Sequence, residues 1–198
     1  MTDILVIGDT HIPDRAHAVP RVFKEIIEAH SPWSVVVFTG DFTSEAILSW
    51  VKGLGKNVYV VRGNMDYIPL PKTAVFEVEG MRVGVHHGDG FYPRGDPSKL
   101  AKIAQALGVD VLISGHTHAD FVKTGPAERE LLLNPGSLTG VWGGGGGSNI
   151  PSFMVLEAAP SQLHITVFRL QGLSAKRSTC RALKVNQGVW LLEECSPG

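Results

Sequence analysis

The sequence predicts an α/β fold in which two mixed β-sheets pack as a sandwich with helices on the outside. Three observations carry that reading. Short Val/Ile-rich runs alternate with helical patterns through the first third, and a βαβαβ order requires a parallel sheet buried on both faces. From residue 73 onward most apolar runs follow one another across tight turns, as antiparallel strands do. No apolar run approaches the roughly 18 residues of a membrane-spanning helix, so no membrane is expected as a partner.

In order, residues 4–7 read as a buried strand and 22–30 as a helix, with Pro20 near its first turn. Residues 35–38 form the next strand, 43–52 a helix with Thr43 as N-cap, and 58–61 a third strand. Runs 73–78 and 81–86 meet at Glu79-Gly80 as a hairpin. Residues 97–107 read as a helix opened by Asp96 and closed by Gly108. Strands follow at 109–113, 130–133, 152–157 and 163–170, the last two as a hairpin. The five glycines 143–147 are a flexible loop. They lack the preceding strand and following helix that a dinucleotide-binding loop needs.

Residues 171–198 are polar and weakly periodic apart from 189–192. They are expected to form an appendage to a domain spanning 1–170. It would pack on the body or on a partner subunit, which leaves a homo-oligomer open.

Composition narrows the function. The 198 residues carry 18 Lys+Arg against 19 Asp+Glu, a net charge of -1, so bulk charge offers nothing to nucleic acid or a membrane surface. The first residues, Met-Thr-Asp-Ile-Leu-Val-Ile-Gly, read as a strand and not as a signal peptide. With only Cys180 and Cys195, both near the end, no disulfide framework supports the main body, and a reducing cytoplasm is the expected compartment. A bridge between those two cysteines would staple only the tail.

The chemistry concentrates at strand ends. Gly8-Asp9-Thr10-His11, Gly40-Asp41, Gly63-Asn64-Met65-Asp66, His86-His87-Gly88 and Gly115-His116-Thr117-His118 each follow an apolar strand, where α/β folds place their sites. A donor set of His, Asp and Asn without Cys suits Mn, Fe, Co, Ni or Zn. Asp9, His11, Asp41, Asn64, His87, His116 and His118 are too many side chains for one tetrahedral ion. They fit two ions if one carboxylate bridges.

These motifs, with Val61-Arg62-Gly63-Asn64 and Asn134-Pro135-Gly136-Ser137, resemble the calcineurin-like metallophosphoesterases over about residues 3 to 170. The resemblance is narrower to their small single-domain phosphodiesterase branch. It implies one metal on Asp9, His11, Asp41 and His118, and a second on Asp41, Asn64, His87 and His116. Asp41 is then the bridge, and Asp41, Asn64 and His87 are the residues nearest the chemistry. It also implies a hydroxide between the ions that attacks a small or exposed phosphate ester, with Mn²⁺ the favoured metal and Ni²⁺, Zn²⁺, Fe²⁺ or Co²⁺ able to serve. Two dications, two carboxylates and one hydroxide leave a positive centre that favours an anionic ester.

Two other functions fit the resemblance. One is a phosphomonoesterase or nucleotide phosphatase on the same site. The other is a non-catalytic interaction module, since a relative in a membrane-trafficking coat is a scaffold with an impaired metal site. Here all seven matched positions are intact.

Met65 stands where many relatives have a histidine that assists the leaving group, and methionine can neither donate a proton nor carry charge. His17 and Asp89 are the candidate replacements. Ile12 replaces a frequent glycine and is expected to narrow the pocket mouth. His86 is expected to point away from His87, and Asp66 to support a loop. Arg62 is equally suited to phosphate and to an ion pair. Trp142 could shape the mouth, and specificity should reside in loops 12–19, 90–97 and 138–148.

Overall fold

The computed structural model describes residues 1–197. Its elements are β1 (Thr2–Ile7), α1 (Arg21–Ala29), β2 (Trp33–Phe38), α2 (Glu45–Lys52), β3 (Gly55–Val60), β4 (Thr73–Val78), β5 (Met81–His86) and α3 (Pro97–Leu107). They continue as β6 (Val111–Ser114), β7 (Asp120–Thr124), β8 (Leu131–Pro135), β9 (Ser152–Ala159), β10 (Gln162–Gln171), β11 (Ser174–Lys184), β12 (Trp190–Leu192) and β13 (Ser196–Pro197).

Two mixed sheets result. One runs β12-β11-β10-β9-β1-β2-β3 with β13 on β11, and the other runs β4-β5-β6-β8-β7. The predicted βαβαβ unit is present: β1 pairs β2, and β2 pairs β3, both in parallel. β1 alternates its side chains between two cores. Ile4 and Val6 face Val83, Val85, Val111 and Ile113 of the other sheet, whereas Leu5 and Ile7 face Phe23 and Ile27 of α1 and Leu48 of α2. Leu100 and Ala104 of α3 pack on Leu112 and Leu132 from the other side. The layers are therefore helix, sheet, sheet, helix, the predicted fold class.

Helix α3 matches its predicted limits. Asp96 accepts the Lys99 N–H at 3.0 Å, and Gly108 closes the helix at φ 64, a left-handed turn that glycine adopts without steric cost. The N-cap of α2 differs by one residue. Ser44 takes it, accepting from the Ile47 N–H at 3.3 Å, because Thr43 is held at φ 62 with its N–H on Asp66.

The larger difference lies at the end of the chain. Residues 174–184, set apart in sequence, pair with β10 from Gln162↔Leu183 to Gln171↔Ser174 and extend the first sheet. Trp190 is buried in the core between the sheets, its indole N–H donating to the Asp110 carbonyl at 3.1 Å. Cys180 belongs to that same core and is disulfide-bonded to Cys195, so the staple anchors the tail to β11. β7 is also absent from the sequence reading; it pairs with β8 as an edge strand. No described helix is long and apolar enough to cross a membrane.

Candidate metal centre

Every motif sits where a strand leaves its sheet. Asp9 and His11 follow β1, Asp41 follows β2, Asn64 follows β3, His87 follows β5, and His116 and His118 follow β6. Backbone bonds lace the exits together. The Asp9 N–H donates to Gly40 at 2.9 Å, the His11 N–H to Asp41 at 3.0 Å, and the Gly115 N–H to His87 at 2.8 Å.

Five of the seven predicted residues, Asp9, His11, Asp41, His116 and His118, have φ between 46 and 67. Each costs on the order of 1–3 kcal/mol, so the surrounding bonds must over-determine these turns. Part of that support is close approach: a Cβ on Gly63 would stand 2.1 Å from Asp41 Oδ1.

The result is two groups that share one side chain. One ligand atom from each of Asp9, His11, Asp41 and His118 lies within 4.8 Å of the others, and the same holds for Asp41, His87 and His116. Asn64 joins the second group, its Oδ1 standing 3.0 Å from His87 Nε2. Asp41 Oδ1 accepts the Met65 N–H at 2.8 Å. Its Oδ2 stands 3.4 Å from His11 Nε2 and 3.3 Å from His87 Nε2, between the two groups. All seven predicted residues converge.

The donor chemistry fits divalent cations. Asp9 and Asp41 are buried, and among the described residues their ion-pair partners are imidazoles alone. Burial pushes the Asp9 carboxyl up to about 8, and pushes His11 and His116 down to about 4. His118 is lowered for the same reason. Burial opposes the charge on His87 too, but its bond to Asp41 and the nearby Asp9 hold it up at about 9. Asp41 is lowered: burial raises it, but the bond from His87 and that ring's charge outweigh burial.

The Nδ1–H of His87 donates to Thr39 O and that of His118 to Val141 O, each at 2.7 Å, so each Nε2 faces the centre. His11 Nε2 meets His118 Nε2 at 3.1 Å, and His11 Nδ1 is buried without a partner. A cation shared by the two rings would satisfy both Nε2 atoms.

Residues around the centre hold its loops. Asn134 donates to Gly115 O at 2.7 Å, Ser137 Oγ to Asp9 O at 2.7 Å, and Thr139 Oγ1 to Thr10 O at 2.8 Å. His86 accepts the Gly88 N–H at 2.8 Å. The segment after Val141 wraps His118, where a Cβ on Gly143 would come within 2.5 Å of the ring.

A profile of the calcineurin-like phosphoesterase superfamily domain matches residues 2–159. The chain belongs to that superfamily. A probable metallophosphoesterase of Methanocaldococcus jannaschii is 46% identical over 134 residues, 68% of this chain and 67% of that one. Among solved structures, vacuolar protein sorting 29 of Cryptosporidium parvum superposes with TM-score 0.86 at 28% identity, covering 92% of this chain and 98% of that one. Vps29 of Entamoeba histolytica, in complex with Zn²⁺, does so with TM-score 0.80 at 35% identity, covering 89% and 97%.

Seen as a phosphoesterase domain, the chain has a cavity of about 240 Å³ whose lining includes Asp41, Asn64, His116 and His118. Met65 and the exposed Trp142 line it as well. Ile12 is not among its lining residues; its carbonyl accepts from Thr43 Oγ1 at 3.0 Å. Neither His17, Asp89 nor Arg62 is in the lining. Arg15 and Arg94 are, and the motif reading missed both. They lie in two of the loops assigned to specificity, but an arginine in a loop carries no signal of where its side chain ends.

Proposed function

We propose that this chain is a two-metal-dependent phosphoesterase acting as a phosphodiesterase on a small or exposed phosphate ester. The observation that supports it most is the place of Asp41 Oδ2 between the two ligand groups. Asp9, His11, Asp41 and His118 would hold one divalent cation, and Asp41, Asn64, His87 and His116 the other. Two adjacent cations supply Lewis acidity, lowering the pKa of water and neutralising charge on the reacting phosphoryl oxygens.

The chain's own contribution is orientation and charge. Thr39 O and Val141 O fix the tautomers of His87 and His118 with Nε2 inward. Asp9 and Asp41 provide the buried negative charge that dications neutralise. Met65 and Trp142 give the mouth an apolar edge without an acid. Nitrogen and oxygen donors without thiolate suit Mn²⁺, the metal preferred in this reading, as they do Fe²⁺, Co²⁺, Ni²⁺ and Zn²⁺, and the zinc-bound Vps29 neighbour supports a divalent cation on this scaffold.

The Vps29 neighbours favour a second reading, a protein-interaction module on the same fold. Metal-stripped protein reconstituted with Mn²⁺, Ni²⁺, Zn²⁺ or Mg²⁺ separates the two. Metal-dependent hydrolysis of bis(p-nitrophenyl) phosphate faster than of p-nitrophenyl phosphate is expected. The reverse order would make the protein a monoesterase, and no hydrolysis with any pairing would move it to the interaction module.

A further inference from the structure

Arg15 and Arg94 come from separate loops, one after β1 and one before α3, and meet at the same cavity. Each donates to one of two successive carbonyls where the glycine segment begins. Arg15 Nη1–H reaches Trp142 O at 2.9 Å, and Arg94 Nη1–H reaches Gly143 O. The Arg15 guanidinium lies 5.9 Å from the Trp142 ring centroid. A guanidinium offers a planar fork of donors, so one bond to a carbonyl leaves most of it free.

Among the described residues, the arginines that pair with carboxylates are Arg21, Arg169 and Arg181. Arg15 and Arg94 have no such partner. Two unneutralised cations at the rim of a site built for dications repel one another and the metals. An anion seated between them removes that repulsion.

We propose that Arg15 and Arg94 clamp the non-bridging oxygens of the substrate's phosphoryl group and are the phosphate-binding residues of this site. The inference rests on the phosphoesterase reading. A planar guanidinium matches the spacing of two phosphoryl oxygens, which a carbonyl partner leaves unused. The bonds to Trp142 and Gly143 hold each fork in position, so little side-chain entropy is lost when phosphate arrives. The start of the glycine run then has a purpose in this clamp. It lets the strap pass close enough for two arginines to grip its backbone, and a Cβ on Gly144 would stand 3.0 Å from Arg94 Nη2.

The test is calorimetric titration of inorganic phosphate into Mn²⁺-reconstituted protein, beside steady-state hydrolysis of a p-nitrophenyl ester. Arg15→Gln and Arg94→Gln remove the charge and, being two bonds shorter, also release the strap carbonyl. Each should weaken phosphate binding about tenfold or more, the worth of a charge-assisted bond, and raise KM more than it lowers kcat. Arg15→Lys and Arg94→Lys keep charge without the planar fork and should fall between. Melting temperatures of all four report folding, and the lysine pair carries the comparison for any position where glutamine unfolds the protein.

Phosphate affinity within about twofold of the parent in all folded variants would overturn the clamp and leave the arginines as strap anchors. So would a parent protein that binds no phosphate. Arginine-dependent phosphate binding without turnover of any ester would keep the clamp and overturn the phosphoesterase reading instead.

Discussion

Asp66 holds Asp41 from behind. Its Oδ2 accepts the backbone N–H of Asp41 at 2.7 Å and that of Gly63 at 2.8 Å, while Oδ1 accepts the Thr43 N–H at 3.0 Å. One carboxylate thus ties the loop after β2 to the loop after β3, and thereby sets Asp41 against Asn64. Asp66→Ala would leave these three N–H groups without their acceptor, at about 1–3 kcal/mol for each that stays buried. Mn²⁺ affinity, read by metal titration, should fall by about 10–100-fold, as for other residues that orient ligands. Asp66→Asn, which keeps one acceptor oxygen, should fall less. Parent-like affinity in the alanine variant would mean the loops hold their shape without this carboxylate.

Asp41→Asn should cost more activity than Asn64→Ala. Asp41 offers negative charge to both ligand groups, whereas Asn64 offers one neutral oxygen to one of them. Initial rates at saturating metal, with metal content measured on the same samples, decide this. Equal losses at full occupancy would remove Asp41 from its bridging place.

Metal should stabilise the protein more at higher pH. In the metal-free chain Asp9 has its folded value raised to about 8, so its contribution is complete below the ordinary carboxylate range and is lost as pH rises toward 8. His87 behaves likewise, its contribution present below the ordinary histidine value and lost as pH rises through about 9. His11 and His116 have depressed values and contribute in the opposite sense, losing their part as pH falls through about 4. Metal ligation needs Asp9 ionised and His87 Nε2 unprotonated, so binding releases protons and tightens with pH. The rise in melting temperature on adding Mn²⁺ should be larger near pH 8.5 than near pH 6, roughly the window these shifts span. An equal rise at both would mean that neither group gives up a proton to metal.

Met65 offers a leaving group no proton. Positioned acid catalysis is typically worth about 10²–10⁴-fold, and Met65 in the cavity lining cannot supply it. Esters with acidic phenol leaving groups should therefore be cleaved far faster than comparable alkyl esters. A flat dependence on leaving-group pKa, with chemistry rate-limiting, would reveal another acid, and His17 and Asp89 would be the first residues to replace.

Strand ends were the most legible part of the sequence. A run such as Leu-Val-Ile followed by Gly-Asp and a histidine announces both a buried strand and a turn that crowds ligands. All seven residues named from such runs meet in the structure. Asp66 as a loop support was legible for the same reason, lying two residues beyond Asn64 in its own motif.

The polar strands were not legible. β11 reads Ser-Ala-Lys-Arg-Ser-Thr-Cys-Arg-Ala-Leu-Lys, with only Cys180 and Ala182 buried among its 11 residues. It is a strand because β10 offers it a full ladder of partners, and hydrogen bonds to a neighbour leave no trace in apolar periodicity. β7 is a similar case at the edge of the other sheet, with no buried residue in its five.

By itself the sequence determined the layer order, the α3 caps and which residues gather at the strand ends, because each is encoded locally: apolar period, cap chemistry, and a glycine beside a donor. The tertiary structure alone decided three things. It joined the tail to the first sheet, it placed Asp41 Oδ2 between two groups drawn from five strand exits, and it brought Arg15 and Arg94 to one rim across 79 residues of chain. The physical reason is common to all three. Where a long side chain or a polar strand comes to rest depends on which acceptors the folded chain presents to it, and apolar periodicity carries no record of them.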